Sequence, residues 1–209
     1  INNKYSFKMK RFCLLKDFFY VFCLIAISLV FFSCVGTKGF IPEQQFIDRN
    51  IASFGIKSVE QLTNFFMSKN PTADVNQVKE MAMYYVEEAF MEGINSDVAF
   101  VQMCLETGFL KFGGLVTPDM NNFCGLGAID VNNPGERFES PRMGVRAHIQ
   151  HLHAYGTTIP LKGELIDGRY KYVVPRGKAP DIYSLSGTWA ADKAYGEKLE
   201  KLIIQLENF

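Results

Sequence analysis

Between Ser58 and Leu206 the apolar positions recur mostly on a helical period. "SVEQLTNFFMS" opens with Ser58 and carries Gln61 three residues on, the pattern of a capping box. "PTADVNQVKEMAMYYVEEAFMEG" places Val75, Val78, Met81, Met83, Tyr85, Val86 and Phe90 along a second helix. It stops at Gly93, a residue able to take the left-handed conformation that closes helices. A third helix starts at Asn95 or Ser96 and ends near Gly108. From 111 to 139 the period disappears among glycines and prolines, with a turn signal in "NNPG" at Asn132 to Gly135. A stretch of that length predicts a functional loop or a small hairpin. Helix returns at "SPRMGVRAHIQHLHAY", with Ser140 as N-cap and Pro141 at the first helical position. An irregular run, "LIDGRYKYVVPRGKAP", precedes a last helix predicted over Asp192 to Leu206. The pattern predicts an α+β domain that is predominantly α, with one small irregular or β-hairpin lobe.

The first 34 residues read differently. Met9-Lys10-Arg11 resembles a start and a cationic region, with residues 1–8 an over-extended start. Phe18 to Phe32 is an apolar run of 15 residues, within the length of a signal sequence and short of the ~20 a spanning helix needs. "VFFSC" follows as an imperfect lipobox, in which Cys34 is the candidate lipidation site. The expected organisation is a signal peptide over 1–34, a tether over 35–57 and one folded domain over 58–209. Lipid on Cys34 would hold an exported protein at a membrane without a spanning helix. Localisation is therefore expected to be a membrane surface facing the periplasm or the cell exterior.

Balanced overall charge hides an asymmetry. The leader holds five of the basic residues and one acid, so the rest carries 17 basic and 21 acidic residues. A mildly acidic domain lacks the cationic footprint of a nucleic-acid binder. Of five cysteines, Cys104 and Cys124 stay in the domain, both in apolar surroundings. A disulfide between them and two buried free thiols are both open.

Chemistry concentrates in the third helix. Val98 to Val101 and Met103 to Leu105 are apolar or small, leaving Gln102 and Glu106, four apart, as one polar stripe. A helix apolar nearly all round is buried. Desolvation then raises the Glu106 pKa, and the negative end of the helix dipole pushes the same way. A carboxyl kept protonated near neutral pH is what a general acid requires. A pairing with arginine, or projection into solvent past a frayed end, is the alternative.

"NNFCGLGA", Asn121 to Ala128, has no preceding strand and no capped helix after it, which argues against a phosphate cradle. Asn122, Phe123 and Gly125 are instead candidate sugar-binding positions, since amides pair with hydroxyl and acetamido groups and a ring covers a pyranose face. A turn with a buried Phe123 explains the composition equally well. His148 and His151 lie three apart on one helix face, but no ligand follows at zinc-motif spacing. No metal is expected, and the pair reads as groove or core. Arg142, Arg146 and Arg176 read as surface charge or carboxylate partners, with contacts to an acidic ligand as a further possibility.

"AFVQMCLETGFLKFGG", "NNFCGLGA", "SPRMGVRAHIQHLHAY", "YKYVVPRGKAP" and "GTWAADKAYGEKL" stand in the order and spacing of the bacterial N-acetylglucosaminidase family, glycoside hydrolase family 73. The chain resembles that family from about Ser58 to Leu206. The resemblance implies a lysozyme-like fold with a groove between helical and irregular lobes. It also implies hydrolysis of the β-1,4 bond between N-acetylglucosamine and N-acetylmuramic acid in peptidoglycan, by a monomer without a cofactor. On that resemblance Glu106 matches the general acid and Tyr195 a tyrosine at the cleft. Asn122 and Phe123 match a segment lining the sugar groove, and Trp189 is groove wall or core anchor. Two-acid glycosidases set a partner carboxylate about 5 to 9 Å away. Glu136 is the first choice, ahead of Asp130 and Glu139, with the substrate's own acetamido group as the alternative. Two rival functions remain: a lytic transglycosylase of the same shape, and a non-catalytic wall-binding lipoprotein.

Overall fold

The computed structural model describes residues 46–209. The expected signal sequence, Cys34 and residues 35–45 of the expected tether lie outside the described residues. Among the described residues no helix is long and apolar enough to cross a membrane. Five α-helices make the frame: α1 (Val59–Lys69), α2 (Val75–Glu92), α3 (Ser96–Thr107), α4 (Pro141–Gly156) and α5 (Tyr195–Leu206). Two 3₁₀ turns, Pro118–Met120 and Tyr170–Tyr172, sit in the long connections. Extended pairing among the described residues amounts to isolated bridges, so the fold is predominantly α as expected.

The helix boundaries follow the side chains that satisfy free backbone groups. Ser58 and Gln61 form the reciprocal box that opens α1. Asn95 Oδ1 accepts from the Asp97 and Val98 amides to open α3. Gly93 and Gly108, both left-handed, close α2 and α3. Ser140 caps α4, with Pro141 at its first position. The last helix begins three residues later than the pattern suggests. Asp192 instead closes a turn, its Oδ1 accepting from the Ala194 amide at 2.9 Å.

Helix α3 contacts all four other helices. That explains why its sequence has no conventional polar face: Val98, Ala99, Phe100, Val101, Met103 and Cys104 are all fully buried. Removing a large side chain of this kind from water stabilises the fold by about 1.5–3 kcal/mol. On α2 the period marks only part of the buried face. Val78, Met81 and Tyr85 are in the core, whereas Val75 and Phe90 are exposed. Ala82, Ala89, Glu88 and Glu92 take the remaining inward positions. Arg142 Nε and Arg146 Nε each lie 2.7 Å from Glu88, and the Lys162 and Gly163 amides donate to Glu92. Arg142 and Arg146 are thus carboxylate partners.

Residues 46–57 are packed chain, which corrects the expected domain start at 58. Ile47 and Ile51 lie in the core. The Ile51 amide bonds the Pro180 carbonyl, and the Ile182 amide bonds the Arg49 carbonyl. Arg49 reaches both Glu200 and Glu207 on and just beyond α5. The N-terminal segment is therefore joined to the C-terminal helix.

Candidate active site

Glu106 stands in the last turn of α3, and the chain leaves that helix abruptly. Gly108, Phe109 and Leu110 are successively left-handed, with φ of 57°, 58° and 58°. A bulky residue in this region is strained by about 1–3 kcal/mol. Neighbours hold the turn: Thr107 Oγ1 accepts from the Leu110 amide at 2.9 Å, and Asn70 Nδ2 donates to the Phe109 carbonyl at 2.9 Å. The Phe109 ring lies against Phe65 and Phe66. The turn leads into Phe112–Val116, which line a cleft of about 240 Å³ together with Glu106, Asn122, Gly125 and Ala128.

Glu106 is exposed to solvent as a residue, while its carboxyl is bonded from the protein side. Tyr195 Oη donates a short hydrogen bond to its Oε1, and Trp189 Nε1 donates to the same oxygen at 3.1 Å. Neither an ion pair to Glu106 nor a protein hydrogen bond to its Oε2 occurs among the described residues. Burial raises its pKa above the usual glutamate value, and the Tyr195 and Trp189 donors oppose that shift only in part. With both donors on Oε1, the proton of the acid form belongs on Oε2. Glu106 thus lines the cleft with one oxygen bonded by Tyr195 and Trp189 and the other without a protein donor.

Tyr195 reaches this position from the first residue of α5 and is itself buried. Trp189 is half-buried, lies outside the cleft lining and packs against the core as an anchor. Its ring sits 5.2 Å from those of His151 and Tyr155 and 5.8 Å from that of His148. His151 Nδ1 lies 2.7 Å from the buried Asp167. His148 Nδ1 lies 2.9 Å from Tyr85 Oη and its Nε2 3.1 Å from Gln102 Oε1. Both histidines thus have protein partners behind the cleft.

The sugar-binding candidates divide. Gly125 lines the cleft with open space above it, at φ of 67°. Asn122 also lines it, but its amide is engaged at both ends. Nδ2 donates to the Leu126 and Glu136 carbonyls at 2.9 and 3.0 Å, and Oδ1 accepts from the Leu126 amide at 2.9 Å. Asn122 shapes the wall rather than offering a free amide. Phe123 is buried at 5% exposure and packs beneath α4 at Gly144, so it is the turn anchor and not a sugar platform.

The second-acid candidates stay outside the cleft lining, in which Glu106 is the one carboxylate among the described residues. Glu136 is exposed, with its side chain over Gly127 beside that of Arg169. Asp130 closes the hairpin turn, accepting from the Asn132 and Asn133 amides at 2.8 and 3.0 Å. That places the tight turn at Asp130–Asn133, two residues before the "NNPG" signal. Glu139 is exposed next to the α4 cap. Cys104 and Cys124 are buried free thiols.

With the site described, comparison with known proteins is decisive. Residues 82–208 match the glucosaminidase family, described as mannosyl-glycoprotein endo-beta-N-acetylglucosaminidase. The chain belongs to this family. As a glucosaminidase it is a glycoside hydrolase, a class whose members use carboxyl side chains at the cleft. An uncharacterized protein of Borreliella burgdorferi is 42% identical over 156 residues, covering 75% of this chain and 76% of that protein. The crystal structure of S. aureus autolysin E in complex with a muropeptide, NAM-L-Ala-D-iGlu, superposes with a TM-score of 0.48 at 13% identity. That match covers 79% of this chain and 74% of the other.

Sequence reasoning missed three parts of this glucosaminidase site: the Trp189 bond to Glu106, the role of Phe112–Val116 as a wall, and the polar partners behind Tyr195. The pairing of Gln102 with Glu106 on one stripe was the available signal for the last.

Proposed function

We propose that this glucosaminidase cleaves the β-1,4 bond between N-acetylglucosamine and N-acetylmuramic acid in peptidoglycan, with Glu106 as general acid. The observation that carries the reading is Glu106 itself: an acid of raised pKa in the cleft lining, with two donors on Oε1 and none on Oε2. Oε2–H protonates the glycosidic oxygen as the bond to the anomeric carbon breaks. Oε1 keeps both donors as the carboxylate forms, and the hydrogen bonds strengthen as its charge develops. Tyr195 and Trp189 thus favour the product side of the proton transfer while burial favours the reactant side. The substrate's acetamido oxygen, adjacent to the anomeric carbon, attacks to give a cyclic intermediate that water opens. A cleft lining with a single carboxylate supports that choice over a second acid.

Digestion of purified sacculi tests this function. The expected products carry reducing N-acetylglucosamine ends, and Glu106→Gln releases almost none. Anhydromuramyl ends would instead identify a lytic transglycosylase, and sacculus binding without release a wall-binding protein. Export and lipid attachment at Cys34 are proposed from the leader sequence. Labelling of the full chain with a fatty-acid analogue, lost in Cys34→Ala, is the expected result.

A further inference from the structure

Behind the Glu106–Tyr195 pair, a file of buried polar groups crosses the core. Tyr85 on α2, His148 on α4 and Gln102 on α3 are each 0% exposed. Their contacts run Tyr85 Oη to His148 Nδ1 at 2.9 Å, His148 Nε2 to Gln102 Oε1 at 3.1 Å, and Gln102 Nε2 to Tyr195 Oη at 3.0 Å. Tyr195 Oη then meets Glu106 Oε1. Four helices supply this one line of hydrogen bonds, and none of the internal groups reaches solvent.

We propose that Tyr85, His148 and Gln102 are positioning residues that lock Tyr195 as a donor to Glu106 Oε1 and so confine the acid proton to Oε2. The proposal rests on Glu106 being the acid.

The line can be polarised in only two ways. In one, every proton points toward Glu106: Tyr85 donates to Nδ1, Nε2–H donates to the Gln102 oxygen, the Gln102 amide donates to Tyr195, and Tyr195 donates to Oε1. In the other, the Gln102 amide is turned over: a proton on Oε1 is given to Tyr195, Tyr195 donates to the Gln102 oxygen, the Gln102 NH2 donates to His148 Nε2, and the imidazole proton sits on Nδ1 and is given to Tyr85. The second arrangement leaves the Tyr85 hydroxyl proton without an acceptor in the core, since His148 is its hydrogen-bond partner. A buried donor left unmade costs about 1–3 kcal/mol. It also puts a proton on the oxygen to which Trp189 donates. Aligned bonds polarise one another in a region of low dielectric, which strengthens the first arrangement further.

Burial holds His148 neutral, its pKa pushed down to about 3, so it carries the single ring proton that either polarity requires. The other titratable groups near the file are Cys104 on α3, Cys124 in the loop after Asn121, and His151 on α4 with Asp167 behind it. Both thiols are held protonated by burial. A free tyrosine hydroxyl can rotate to accept from Glu106, which would hold the proton on the side away from the cleft. The file forbids that rotation.

Four full-chain variants test this on solubilised glycan strands, with kcat and KM followed against pH. In His148→Phe the Gln102 oxygen loses its donor and competes for the Tyr195 proton. The expected result is a kcat at least fivefold lower, KM within twofold, and an alkaline limb moved to higher pH as Glu106 loses a donor that favoured its carboxylate. In His148→Phe/Gln102→Met the competing acceptor is gone, and activity should recover severalfold over His148→Phe alone. Further structural damage would make that double variant worse. Tyr85→Phe removes one buried hydroxyl and should move the alkaline limb the same way to a smaller extent, which decides the matter even if His148→Phe fails to fold. Wild-type kcat and pH profile in Tyr85→Phe, or a folded double variant no better than His148→Phe, overturns the positioning role alone. Glu106→Gln, run alongside, should be inactive. Wild-type activity there overturns the general-acid reading and this inference with it.

Discussion

Trp189 Nε1 and Glu106 Oε1 lie 3.1 Å apart although 83 positions separate them in the chain. The indole is also held by tilted and edge-on contacts with Tyr155 and His151, so its donor is aimed before any substrate arrives. Trp189→Phe keeps most of these ring contacts and removes the donor. A hydrogen bond to a charged group contributes about 1.5–3 kcal/mol, so kcat/KM is expected to fall roughly 10- to 100-fold. The alkaline limb of the rate profile should also rise, because this donor holds the Glu106 pKa down. A rate–pH series on soluble glycan fragments checks both.

Tyr195→Phe removes the stronger partner of the same oxygen. Burial raises the Glu106 pKa, and Tyr195 is the larger of the two groups opposing that shift. In the proposed mechanism the protonated acid is the active form, so activity should be lost as pH rises through the folded-state pKa. Without the tyrosine that pKa rises further. Tyr195→Phe should lose more kcat than Trp189→Phe and move the alkaline limb further up. A limb that moves down would contradict the placement of the donor on Oε1.

The same raised pKa makes Glu106 a cost to the fold at neutral and alkaline pH. A carboxyl that binds its proton more tightly when folded stabilises the native state fully below the unfolded glutamate value. That contribution is lost as pH rises through the folded value. Glu106→Gln has no charge to desolvate and keeps the shape. Its melting temperature should exceed that of the wild type at pH 8 and converge with it near pH 4, as measured by circular dichroism.

These relationships differ in how far local sequence carries them. The caps at Ser58, Asn95 and Ser140 are local, made by side chains within three residues of the amides they serve, so reading along the chain finds them. The burial of α3 was legible from its lack of a polar face, and with it the raised pKa of Glu106. Phe123 was ambiguous because an aromatic beside asparagines suits a sugar groove and a buried turn alike; only the approach of Gly144 decides it. The bonds from Trp189 and Tyr195 cross 83 and 89 positions. Nothing in the local sequence encodes such pairings, because the packing of α5 and its preceding turn against α3 creates them. The packed start at Ile47 escaped for the same reason, since its partners lie near the opposite end of the chain.

Gly144 marks where α4 meets the turn that forms the cleft wall. A Cβ there would stand 1.7 Å from the Asn121 carbonyl oxygen, which is backbone and cannot swing aside. Overpacking of this kind costs about 1–3 kcal/mol. Gly144→Ala should lower the urea midpoint by a corresponding amount. It should also raise KM, because the displaced segment carries Asn122 and Gly125 on the cleft wall.

The role of the acetamido group can be separated from that of Glu136. A second catalytic acid would make Glu136→Gln as damaging as the loss of Glu106, by several orders of magnitude in kcat. Glu136 is instead exposed at the hairpin edge, over Gly127 and outside the cleft lining. Glu136→Gln is therefore expected to keep kcat within tenfold of wild type. A substrate-assisted route also predicts that a thiazoline analogue of N-acetylglucosamine, which mimics the cyclic intermediate, inhibits competitively. It further predicts that the first product retains the β configuration, as observed by proton NMR in the opening minutes of digestion. An inverted anomer, together with a dead Glu136→Gln, would assign the water-activating base to Glu136 and require the hairpin to close over the bound strand.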